Sequence, residues 1–192
     1  WAVEISKRLG LRNVVHTDTV RNTIRTHNKN DKQSIIHFSS YNCWSKYSKN
    51  FTTTSLIKGL KEQSKLMLPY IENIIDEANN NGSFTVIEGI HLIPSILKTN
   101  KYKSTFFVKY HLHVDKEKII KERMIKRTMT NYLNRSPEKY DPQIRQFDTI
   151  RNFLKKEALK DQNIKIIENN SAGNTLNIMF DKLFSDISNI NS

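Results

Sequence analysis

Two short stretches of this chain set a carboxylate where an apolar segment gives way to a turn or a helix. In HTDTVR, His16 to Arg21, Asp18 follows the apolar pair Val14-Val15 and opens a helical run. In VIEGIH, Val86 to His91, Glu88 follows Val86-Ile87 and precedes Gly89. Open α/β sheets bind their ligands at the carboxyl ends of strands. A carboxylate there can orient a substrate hydroxyl, take its proton, or hold magnesium directly or through water. Arg21 lies one helical turn after Asp18, so it can face the same site and pair with an anionic substrate. Gly89 allows a turn or a close backbone approach to a ligand. The plain alternatives are an N-cap with a surface arginine for the first stretch and an ordinary strand–loop junction for the second.

A third group is cationic. Arg123 and Arg127 are four apart and share a helix face, and Arg135 follows at or just past the end of that helix. Phosphoryl transfer needs cations around developing charge, which an arginine-bearing lid can supply; a solvated basic face is the plain alternative. His111 and His113 lie two apart on a strand and face the same way. With no third ligand nearby they read as core or surface histidines, not a metal site. Tyr41 and Trp44 read as packing residues, and no nucleic-acid-binding signature is present.

These groups need a scaffold of strands and helices to place them. The 192 residues suit one domain with a sizeable core, and 37% hydrophobic with 26% charged residues fits a globular chain. Residues 1–9 read as a helix burying Val3, Ile5 and Leu9, stopped by Gly10 and lacking a capping residue before it. Residues 13–16 form a strand running into Thr17-Asp18, a helix N-cap pair. Residues 31–54, which hold FSSYNCW, lack periodicity and read as a substrate-facing insert. Leu56, Leu60, Met67, Ile71, Ile74, Ile75 and Ala78 recur at helical spacing and predict a long helix bent near Pro69 and ended by Gly82. Strands are expected with an apolar core over 84–87, at 105–114 and at 165–168. Helices are expected over 116–134, 142–159 and 174–187. Strands alternating with helices predict a parallel sheet with helices on both faces, an α/β fold.

Composition narrows the partners. The net charge of +12 favours anionic ones, either phosphorylated metabolites and nucleotides or nucleic acid. The single cysteine, Cys43, excludes an internal disulfide and a cysteine-based zinc cluster. No apolar run is long enough to span a membrane and nothing reads as a secretory signal, so a cytoplasmic location without membrane association is expected.

Taken in order, VVHTDTVRNTIR, the FSSYNCW insert, VIEGIHLIP and the run from Lys121 to Leu154 with YLNRSPEKYDPQIRQFDTIRNFL resemble the archaeal-type 2-phosphoglycerate kinases of the P-loop kinase superfamily. The most specific piece is VIEGIHLIP, similar to that family's Glu-Gly-Val-His-Leu-Val-Pro. The resemblance implies ATP-dependent phosphorylation of 2-phosphoglycerate to 2,3-bisphosphoglycerate on a five-stranded parallel sheet, with ATP and Mg2+ as cofactors and a small phosphorylated anion as substrate. It implies catalytic and magnesium-organising roles for Asp18 and Glu88, and substrate binding by Arg21, Ser39, Ser40, Tyr41 and His91. It places Arg123, Arg127 and Arg135 in a lid over the ATP phosphates, within residues 116–141. Arg151 matches the family stretch without an assignable role.

The family's Gly-x-x-x-x-Gly-Lys-Ser/Thr loop occurs nowhere in these 192 residues. WAVEISKRLGL resembles the helix that follows that loop. The expectation is therefore that Trp1 lies just after it, that the sheet lacks its first strand, and that this chain alone binds ATP poorly and shows no kinase activity. Another P-loop small-molecule kinase remains an alternative, as does a regulatory or nucleic-acid-binding protein on a degenerate P-loop fold. The two strand-end carboxylates disfavour the last.

Overall fold

A computed structural model describes residues 1–114, 119–120, 122–123 and 143–190. They cluster as two compact units, Trp1–Phe107 and Val108–Ser192.

The first unit opens with α1, Ala2–Leu9, ended by Gly10 in a left-handed conformation (φ 67°) that only glycine adopts cheaply. Its buried positions are Ala2 and Ser6, not the expected Val3, which is 59% exposed. The strand β1, Asn13–His16, leads directly into α2, Thr17–His27. His16, not Thr17 or Asp18, is the N-cap residue, and it makes no side-chain cap bond. Two short 3-10 helices, Ile35–His37 and Cys43–Lys46, give residues 31–52 their regular structure. The 28-residue α3, Thr53–Asn80, is capped by Thr52, whose hydroxyl accepts from the Ser55 N–H, and it carries Pro69 inside.

The strand β2, Thr85–Glu88, pairs in parallel with β1, so that Asn13 faces Thr85 and His16 faces Glu88. Phe84, expected in the apolar core of that strand, lies outside it and is 77% exposed. Ile24, Ile36, Met67, Ile71 and Ile75 form the core, with Val20, Ile87, Leu92 and Phe107 packed on it. Against α3, a Cβ at Gly59 would stand 2.8 Å from both the carbonyl oxygen and the Sγ of Cys43, so only glycine lets the second 3-10 helix approach this closely. Cys43 is fully buried there, its Sγ 3.2 Å from the Ser40 carbonyl, and burial pushes its thiol up to about 12.

The second unit pairs β3, Lys109–His113, with β4, Ile164–Glu168, again in parallel. The strand expected over 105–114 is therefore shorter, because the ladder extends only as far as its five-residue partner. Between them lies α4, Ile144–Ala158, and after β4 comes α5, Ala172–Ile190. Arg151 on α4 donates from Nη1 to the Val114 carbonyl and holds Asp148 Oδ1 at 3.1 Å from Nη2. It thereby ties the end of β3 to the helix. The rings of His111 and His113 stack with centroids 5.8 Å apart. Among the described residues, the four strands form two two-stranded parallel ladders, and no helix is long and apolar enough to cross a membrane.

Candidate functional site

The register of the first ladder builds the centre of the site. Because His16 and Glu88 are cross-strand partners, two residues 72 apart in sequence meet at 2.6 Å, His16 Nδ1 to Glu88 Oε1. Both side chains stay partly exposed. The pairing gives the Glu88 carboxylate a charge-assisted partner and fixes the imidazole orientation. Asp18, in the first turn of α2, is 70% exposed, with Arg21 Nε 3.6 Å from Oδ1. Position and exposure make it the accessible carboxylate of the site.

Arg21 is largely buried, and its Nη1 donates to the carbonyls of Phe38 at 3.1 Å and Ile36 at 3.4 Å. Arg21 thus ties α2 to the insert. Gln63 on α3 serves the same segment, donating to the Ile35 carbonyl at 3.0 Å and the Phe38 carbonyl at 2.9 Å. Arg21→Met should therefore cost about 2 kcal/mol in a chemical denaturation measurement, because buried carbonyls lose a charged donor. Asp18→Ala should cost under about 1 kcal/mol, since the Asp18 carboxylate is exposed and stands 3.6 Å from Arg21 Nε. Equal, small losses in both would show that the tie carries no stability.

His91 is enclosed by the protein's own polar groups. It is 2% exposed. Its Nδ1 meets Thr17 Oγ1 at 3.0 Å, while Nε2 meets Ser40 Oγ at 3.0 Å and Gln63 Oε1 at 3.4 Å. Both ring nitrogens are engaged within the protein. Burial holds its pKa down at about 4, opposed by the nearby Asp18 charge and reinforced by Arg21. Gly89 (φ 143°) makes room for this contact, since a Cβ there would fall 1.7 Å from Thr17 Oγ1. Ser40 is buried, Ser39 is exposed and Tyr41 is half-buried. Arg123 is helical and half-buried, whereas Arg127 and Arg135 lie outside the described residues.

The described residues contain no group of three or more His, Cys, Asp or Glu that could hold a metal. Magnesium makes no such demand. It keeps several waters and takes one or two carboxylates plus substrate oxygens. The exposed Asp18 carboxylate fits an ion held through water, whereas Glu88 Oε1 is paired with His16. A triphosphate is a different case. The described residues include no run of backbone N–H groups in a glycine-rich loop, and they do not by themselves fit that group.

His16, Thr17 and Gln63 were missed as site residues. Gln63 had a legible signal, because it falls in the buried row of α3 with Leu56, Leu60, Met67 and Ile71. A polar side chain in an apolar row needs a buried partner. The His16–Glu88 contact follows from strand register, which no local pattern announces.

Parallel strands, crossover helices and carboxylates at strand ends are compatible with a P-loop kinase-like α/β fold. Comparison with curated proteins gives a narrower result. The chain is 30% identical to a 2-phosphoglycerate kinase of Methanocaldococcus jannaschii over 95% of its own length and 59% of that protein. It is 27% identical to the 2-phosphoglycerate kinase of Methanopyrus kandleri, over 91% of this chain and 53% of that one. It is 28% identical to that of Pyrococcus furiosus, over 95% and 58%. The chain is thus similar over most of its length to archaeal 2-phosphoglycerate kinases, and it spans little more than half the length of those it matches. No family model and no solved structure matches it.

Proposed function

We propose that this chain serves an ATP-dependent phosphotransferase whose acceptor is 2-phosphoglycerate and whose product is 2,3-bisphosphoglycerate. The observation that carries this reading is the exposed Asp18 carboxylate at the carboxyl end of β1, beside the His16–Glu88 pair, in a chain similar over most of its length to 2-phosphoglycerate kinases. Asp18 would orient the acceptor hydroxyl or hold a magnesium water near it. Bound magnesium would supply charge neutralisation at the transferring phosphoryl group. Glu88 would steady His16 and keep a second negative charge at the strand ends. The exposed Ser39 and the half-buried Tyr41 flank Ser40 on the acceptor side. Arg21 would shape that side by holding the Phe38 carbonyl. Arg123, Arg127 and Arg135 are proposed to face the donor phosphates.

The test is turnover of 2-phosphoglycerate with ATP by the full-length protein and its Asp18→Asn variant. The variant should lose about 10²- to 10⁴-fold in kcat while unfolding within about 1 kcal/mol of the parent. Absence of turnover by the parent, or an unaffected variant, would overturn the reading. RNA or DNA binding that falls steeply with salt and ignores Asp18 would favour a polyanion binder instead.

A further inference from the structure

Gln63 decides which nitrogen of His91 carries the proton. Its Nε2 donates to the Ile35 and Phe38 carbonyls, which orients the amide and turns Oε1, an acceptor only, toward His91 Nε2 at 3.4 Å. An acceptor at that place requires N–H on Nε2 and a lone pair on Nδ1. Thr17 Oγ1, 3.0 Å away, then donates to Nδ1, and Ser40 Oγ, 3.0 Å from Nε2, shares the ring N–H. The imidazole therefore joins two places by bonds of opposite and fixed polarity. One is the first residue of α2, next to Asp18. The other is the middle of Ser39–Tyr41.

His91 makes that link with a single side chain. Arg21 and Gln63 hold the carbonyls of 35, 36 and 38, whereas His91 bonds both Thr17 and Ser40. The Thr17 hydroxyl is itself wedged over Gly89, so the strand end, the helix start and the insert share one buried polar junction. Such junctions specify one arrangement when every member is satisfied.

We propose that His91 is a positioning residue for the acceptor: its Nε2 side sets the insert and hence acceptor affinity, and its Nδ1 side sets the helix start that carries Asp18 and hence turnover. This rests on the phosphotransferase reading given above.

Two variants separate the sides. In His91→Asn the side-chain amide reaches only the Nδ1 position, so it keeps an acceptor for Thr17 and loses Ser40 and Gln63. In His91→Gln the amide reaches the Nε2 position and loses Thr17. In the full-length protein, H91N should raise KM for 2-phosphoglycerate about tenfold with kcat within about twofold, and H91Q should lower kcat about tenfold with KM little changed. Ser40→Ala should reproduce the H91N pattern. Hydrogen exchange without substrate should quicken over residues 34–46 in H91N and over 17–20 in H91Q. Equal losses in both variants, or lost stability with intact kinetics, would reduce His91 to packing and overturn the proposal. If the exchange split appears but the parent does not turn over 2-phosphoglycerate, the acceptor assignment falls and the coupling stands. If the parent turns over and the split is missing, the coupling falls alone.

Discussion

Gly89→Ala should unfold the first unit far more readily than the same change at Gly10 or Gly82, where an added Cβ meets nothing within 4 Å. The new Cβ would lie 1.7 Å from Thr17 Oγ1 and 2.8 Å from Thr17 Cβ, at a backbone φ of +143° that side-chain-bearing residues avoid. Thr17 cannot yield cheaply, because it is buried and its hydroxyl is bound to His91. Backbone strain and overpacking together should cost on the order of 4 kcal/mol, a large part of the stability of an ordinary domain. Removing the hydroxyl by Thr17→Ala should restore only part of this, since the Cβ–Cβ contact remains. The reference is Gly173→Ala, where an added Cβ meets nothing within 4 Å. Urea denaturation of the three variants measures the effect; a Gly89→Ala loss below about 1 kcal/mol would mean that the strand end rearranges freely.

The second large effect is on acid stability. His91 is held neutral when folded, with a pKa of about 4 against an ordinary 6.5, chiefly by burial. Between those values the unfolded chain takes up a proton that the folded chain refuses. Folding stability from this group is therefore fully present above about pH 6.5 and is lost as pH falls toward 4. The loss should amount to about 3 kcal/mol. His111 in the second unit acts with the same sign, lowered to about 4 by burial and by the neighbouring charges of His113 and Lys155. Denaturation curves collected across this range should show H91Q losing less stability than the parent on acidification. Parallel pH dependences for the two proteins would place the acid sensitivity elsewhere.

Much of the first unit could be read from its residues. The bounds of β1 and the run of α3 follow from an apolar pair before an N-terminal helix signal and from a sustained 3.6-residue period. The errors have physical origins. Val3 was expected inside because large apolar residues usually are, yet α1 packs through Ala2 and Ser6, small enough for a close approach. Phe84 and residues 105–108 carry strand-like composition, but a strand ends where its partner ends. At the site, residue types located Asp18 and Glu88 correctly at strand ends. They do not announce the internal partners of Arg21 and His91, whose Nη1 and two ring nitrogens bond the protein's own carbonyls, hydroxyls and amide oxygen. A polar side chain near a carboxylate looks the same in sequence whether it serves a ligand or the backbone; burial and partners tell the two apart.

The close seat of Cys43 against Gly59 has a practical side. As the chain's single thiol, fully buried and poorly ionised, it is shielded from alkylating reagents while the second 3-10 helix stays on α3. Labelling of the native chain therefore keeps time for one specific event, the lifting of the insert from the long helix. Each label gained marks one such opening.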